Sequence, residues 1–270
     1  NELQTQTNDE LMGIIKEFPH LDIPSLHSPL GYRDTRIEDV LDKDYVYDVL
    51  RTCSLASRIA EVKKYRVMVV LHCDTPIAYL DSRKHFKREL CEAVNKVFNT
   101  FDNISITIEN CGPMTVTEDG LMVGRNGLLR ESIAIVNLLR SELQTDLITT
   151  TLDICHAMME QRIMSTFNHP SFKPLTITEM FEQSKDFIGN IHLSNLHDLG
   201  LNNGHHATPF ELTQYEDLVM FKEIYKAYKQ YCPQVNCVME IAEEEYVINS
   251  NKNKLKTIDT INYLKLPYVV

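Results

Sequence analysis

Six short β-rich runs in this chain each close on a side chain able to ligate a metal. IPSLHSP carries His27, VMVVLHC carries His72, ISITIEN carries Glu109, ITTTLDICH carries Asp153 and His156, GNIHLSN carries His192, and CVMEIAE carries Glu240. The leading ligands stand 45, 37, 44, 39 and 48 residues apart, and each step has room for one strand, one helix and two loops. That rhythm predicts an α/β fold of the TIM (βα)8 type, a parallel barrel whose strand ends open into one mouth where residues distant in sequence converge. Imidazoles and carboxylates gathered in such a mouth point to a divalent-metal centre.

Apolar residues at helical spacing fill the intervals, over 8–18, 43–64, 82–101, 126–143, 177–187 and 215–231. Asn8, Ser82 and Thr176 have the chemistry of helix caps, and the strand runs are rich in Val, Ile and Thr, as buried parallel strands are. With 270 residues, 43% of them hydrophobic, and no linker or low-complexity stretch, the expectation is one domain over 1–270. Irregular stretches at 111–125, 160–175 and 195–211 follow strand ends and so belong to the mouth. The strand count does not close. Eight strands make a barrel and six are visible, because the chain enters a helix at about residue 8; the first strands are missing or substituted, and LKLPYVV (264–270) is a candidate for the vacant place.

A net charge of −11 argues against broad nonspecific nucleic-acid binding. Seven scattered cysteines without a CxxC pair fit free thiols in a reducing compartment. Neither a secretory signal nor an apolar run of about 18 residues is visible, so a cytoplasmic chain without a membrane partner is expected. His20, His85, His169 and His197 read as loop or surface histidines. Cys73, Cys111 and Cys155, each next to a ligand on a strand or strand end, should pack behind or around the mouth, and Glu243-Glu244-Glu245 reads as a solvated loop.

The ordered set LHSP, VLHC, TIEN, LDICHA, IHLSN, NGH and VMEIAEEEY resembles the xylose-isomerase-like TIM barrels, which include endonuclease IV and the sugar isomerases and epimerases; the likeness covers about residues 20–250. The resemblance implies a four-residue metal site of Glu109, Asp153, His192 and Glu240. It implies that His27 and His72 are additional ligands of the endonuclease branch, and that His156 and His205 serve a third ion there. The cofactor is then Mn, Zn, Co or Mg. Two chemistries come with it. The first is isomerisation or epimerisation of a sugar or sugar phosphate, with Glu109 and Glu240 moving the proton and His156 orienting a hydroxyl. The alternative is cleavage of abasic-site DNA or another phosphodiester at a multinuclear zinc site, the only reading with a nucleic-acid partner. A noncatalytic binding barrel is a further alternative, and an oligomer is compatible with each. The chain departs from the endonuclease pattern in having Asn203-Gly204-His205 in place of Asp-x-His and in lacking the glycine turns after His72 and Glu109, while the N-terminal DNA loops of that pattern would fall in the missing first segment or are absent. The balance of these features favours the isomerase reading.

Overall fold

The computed structural model describes residues 7–28, 43–72, 84–111, 128–167, 174–197, 207–242 and 251–266. Among them, six strands alternate with eight helices. The strands are β1 (Ser25–His27), β2 (Val67–His72), β3 (Ile104–Glu109), β4 (Ile148–Asp153), β5 (Ile188–Leu193) and β6 (Asn236–Met239). The helices are α1 (Asn8–Glu17), α2 (Lys43–Lys63), α3 (Lys84–Thr100), α4 (Leu129–Leu143), α5 (Ile154–Phe167), α6 (Ile177–Ser184), α7 (Tyr215–Tyr231) and α8 (Lys252–Tyr263). The strands follow one another in the sheet in chain order, β1 to β6. This is the expected βα-barrel class, with six of its strands in the described residues. Every expected strand is present, and its predicted ligand is its last residue, its penultimate one (His192) or the residue just after it (Glu240).

The chain divides into two compact units. The first comprises 1–109 and 130–150. There β1 pairs in parallel with β2, and β2 with β3, in a register that sets His72 beside Glu109. All six residues of β3 are buried, as a strand covered on both faces requires. Ile59, Leu71, Ile104, Ile106, Ile108, Ile135 and Leu139 form its fully buried core. The second unit comprises 110–129 and 151–270 and contains the parallel pair β5–β6. Its core includes Phe181 and Phe210, and the Phe210 ring meets Phe221 edge to face at 5.0 Å.

Local chemistry explains where helices begin. Thr176 is the N-cap of α6, in a reciprocal box with Glu179. At α1 the cap is Thr7, boxed with Glu10, and not Asn8, whose amide instead donates to the Arg51 carbonyl. Ser82 lies outside the described residues. A second correction concerns 160–175, expected to be irregular: α5 runs through Phe167. It starts directly at the end of β4 with no breaker, and it is buried on more than one side, so it lacks the single apolar stripe by which amphipathic helices are recognised. At the other end, the candidate strand 264–270 begins as a turn at Leu264 and Lys265, with Lys265 at φ 53°. Residues 267–270 lie outside the described set. No described helix is long and apolar enough to cross a membrane.

Candidate metal centre

In the first unit, strand alternation does the gathering. His72 is the register partner of Glu109, while His27 pairs with Val70, two residues before His72 and on the same face. His27 Nε2 stands 2.9 Å and His72 Nε2 3.1 Å from the same Glu109 oxygen, Oε2. The two rings meet edge to face at 4.9 Å. Glu109 itself is 1% exposed, and its backbone carbonyl accepts from the Ser132 hydroxyl. His27 Nδ1 donates to the Ser28 carbonyl at 2.6 Å, which fixes a proton on that nitrogen. In the neutral ring, Nε2 then turns a lone pair on a carboxylate oxygen that has only lone pairs to offer. Two acceptors face each other stably only across a proton or a cation. The three ligand atoms lie within 4.8 Å of one another, a spacing that fits one ion.

The second unit assembles another set. Asp153 ends β4 and at once caps α5: its Oδ1 accepts the His156 backbone N–H at 2.7 Å, three residues on. The LDICHA run therefore encodes a strand end, a ligand and a helix start in one stroke. His156 Nδ1 donates to the Asn110 carbonyl at 2.8 Å and lies 3.5 Å from Asp153 Oδ1, so Nε2 carries the available lone pair. His192, in β5, is paired with Val238, and Glu240 lies two residues beyond on the same face. The His192 Nδ1 to Glu240 Oε2 distance is 2.6 Å, and to Asp153 Oδ2 it is 4.0 Å. Asp153, His192 and Glu240 each offer a ligand atom, all within 4.8 Å of one another. A carboxylate buried as Asp153 is, at 1% exposure, is costly unless hydrogen bonds, a cation or a proton compensate it. Glu240 differs from the rest in having a side chain 41% exposed.

The expected site residues thus fall into His27, His72 and Glu109 in one unit, and Asp153, His156, His192 and Glu240 in the other. His205 and Asn203 lie outside the described residues. Cys111 and Cys155 are buried, and burial pushes the Cys155 thiol up to about 12. Cys73, His169 and Glu243-Glu244-Glu245 are also outside the described set, as is the His85 side chain. His20 is exposed.

Two features escaped the sequence reading. Asn110, fully buried, clamps the Asp153 backbone with both amide atoms, Oδ1 accepting from the Asp153 N–H at 2.7 Å and Nδ2 donating to its carbonyl at 3.1 Å. Since its own carbonyl also orients His156, one residue positions two candidate ligands. The other is a knot around Asp217 that includes His197.

No family model and no curated protein matches the sequence. Solved structures do. A D-tagatose 3-epimerase-like protein matches with TM-score 0.55 at 14% identity, over 96% of this chain and 80% of that one. A 3-keto-D-glucoside 4-epimerase from E. coli matches with TM-score 0.52 at 11% identity, over 96% and 84%. Endonuclease IV from Thermus thermophilus gives 0.48 at 14% identity, over 89% and 75%. At these identities the likeness to the first two concerns the fold alone: this chain has a TIM-barrel fold, in agreement with the strand order described above.

Proposed function

We propose that the chain is a divalent-metal-dependent phosphodiester hydrolase of the endonuclease IV kind, working as a single barrel domain over residues 1–270. One observation carries the reading: both His27 and His72 direct Nε2 at a single oxygen of Glu109. A sugar isomerase needs one ion and the four ligands Glu109, Asp153, His192 and Glu240. Two further imidazoles on Glu109 are surplus to that chemistry and suit a second ion, which a histidine-rich set would take as zinc more readily than as magnesium. This reverses the preference drawn from charge and missing loops. Those features concern the outer surface, whereas the ligand set concerns the reaction.

In this reading the ends of β1, β2 and β3 would supply His27, His72 and Glu109 as ligands in the first unit, and the ends of β4, β5 and β6 would supply Asp153, His192 and Glu240 in the second. Bound divalent ions would supply acidified water and neutralise charge on the phosphate. The chain's own contributions are positional. Asn110 and the start of α5 hold Asp153, the Asn110 carbonyl holds the His156 ring with Nε2 presented, and His192 steadies Glu240, whose exposure leaves it able to accept a proton. The resemblance assigns His205, outside the described residues, to the same third ion as His156.

A second reading is favoured by Glu240. A carboxylate held against a ligand histidine at 2.6 Å and yet open to solvent is suited to moving a substrate proton in a sugar or sugar-phosphate isomerase or epimerase, with Glu109 as its partner. Metal analysis of protein purified without chelator, with parallel assays on an abasic duplex and on ketoses and their phosphates, decides. Two or three ions per chain with abasic cleavage, lost in His27→Ala and His72→Ala, is the expected result. One ion with sugar turnover sinks the hydrolase in favour of the isomerase. Bound metal without turnover on either panel leaves a binding barrel.

A further inference from the structure

The second unit contains a histidine that the metal sets do not use. His197 follows β5 by four residues and His192 by five, on the segment that leaves the carboxyl end of that strand. Its Nε2 lies 3.0 Å from Asp217 Oδ2 and 3.0 Å from Asn195 Nδ2. Asp217, on α7, is almost fully buried and also accepts from Asn195 Nδ2 at 2.8 Å and from the Glu211 N–H at 2.7 Å. The Asn195 amide is turned this way because its oxygen accepts the Leu196 N–H at 2.9 Å, and an Asn195–Thr208 bridge closes the base of the segment.

These contacts determine the ring's protons. Were Nε2 bare, its lone pair would confront the Asp217 carboxylate at 3.0 Å. With a proton there, the contact becomes a charge-assisted hydrogen bond, and it outweighs the contact with Asn195. The neutral ring thus carries its proton on Nε2 and presents a bare Nδ1 on its other edge. The His197 side chain is 35% exposed against 8% for Asp217, so the knot hides the Nε2 edge and leaves the rest of the ring accessible. As a loop anchor alone, the histidine would be redundant, since Asp217 already has two other donors.

We propose that His197 is a substrate-contacting residue of this strand-end site, with Asp217 its positioning residue, and that Nδ1 accepts a hydrogen bond from a hydroxyl of a sugar or polyol moiety. The assignment rests on the strand-end location of the site proposed above. A bare nitrogen lone pair selects O–H donors and repels ionised phosphate oxygens, so the group recognised is the sugar part of the substrate and not its phosphate.

The test uses the metal-loaded full chain with 15N-labelled histidine and ribitol as the probe. The expected results are a protonated Nε2 and bare Nδ1 at His197, loss of that preference in Asp217→Asn, and movement of the Nδ1 signal by ribitol but not by inorganic phosphate. His197→Phe should weaken ribitol by about three- to tenfold, the worth of one hydrogen bond. His197→Gln, which can donate to Asp217 and still offer an oxygen, should restore most of it, with thermal midpoints of both variants close to the parent. A proton on Nδ1, no ribitol binding by the parent, or equal affinity in His197→Phe overturns the proposal. Failure of DNA cleavage with the nitrogen signals as expected sinks only the hydrolase reading.

Discussion

Glu109→Gln is the most informative single change, because one carboxylate oxygen serves both histidines of the first unit. Glutamine keeps the shape of the buried side chain but loses the charge that makes its oxygen a strong ligand. A protein holding metal at 100 times its dissociation constant is stabilised by about 2.7 kcal/mol. For a chain of this size that is roughly 5–10 °C in thermal midpoint. If the substitution weakens binding about 100-fold, the same free metal stands near its dissociation constant, and the gain falls to about 0.4 kcal/mol, or roughly 1 °C. The assay is thermal unfolding of parent and variant, each with and without zinc. The comparison is between the two metal-induced shifts, so a change in the stability of the metal-free variant does not intrude. Elemental analysis of the same samples should show at least one ion fewer per chain. A variant whose zinc-induced shift matches the parent's would refute the reasoning, since Glu109 would then be only a hydrogen-bond acceptor for two protonated histidines.

Three further expectations follow from the same structure. Burial pushes the Cys53 thiol up to about 12 from an ordinary 9, so the folded chain keeps it protonated; its contribution to stability is full below pH 9 and is lost as pH rises from 9 to about 12. Urea unfolding at about pH 8 and about pH 10.5 should therefore show a smaller alkaline loss in Cys53→Ala than in the parent, and equal losses would contradict the assignment. Phe210→Ala removes a fully buried ring that packs on Phe221, and should lower unfolding free energy by about 3–5 kcal/mol; a loss below about 1 kcal/mol would mean that the site collapses without a cavity. Thr176→Ala deletes the α6 cap and should cost about 1 kcal/mol in the same assay, with no change in metal content.

How far the sequence could be read depended on whether a residue's task follows from its own position along the chain. The strand-end positions of the expected ligands did, because a parallel strand ends where its polar residue begins, and the register of β2 with β3 that sets His72 beside Glu109 only completes what the spacing implied. The Thr176 cap was legible because its partner Glu179 is three residues away. Helix α5 was not, since its start is signalled by Asp153, a residue already accounted for as a ligand, and its buried surroundings erase the usual stripe. Asn110 and His197 were illegible for a different reason. Their roles are set by partners 43 and 20 residues away, Asp153 and Asp217, and nothing local distinguishes an asparagine that clamps a backbone from one that faces water. Such residues do not touch an ion or carry the charge that motifs are built to detect, yet they decide which nitrogen of His156 is bare and which edge of His197 is presented. The choice between hydrolase and isomerase lies at that level. In the proposed reading the two chemistries would be separated by what His27 and His72 at Glu109, and His197 beyond His192, serve: ions, phosphate or a sugar hydroxyl.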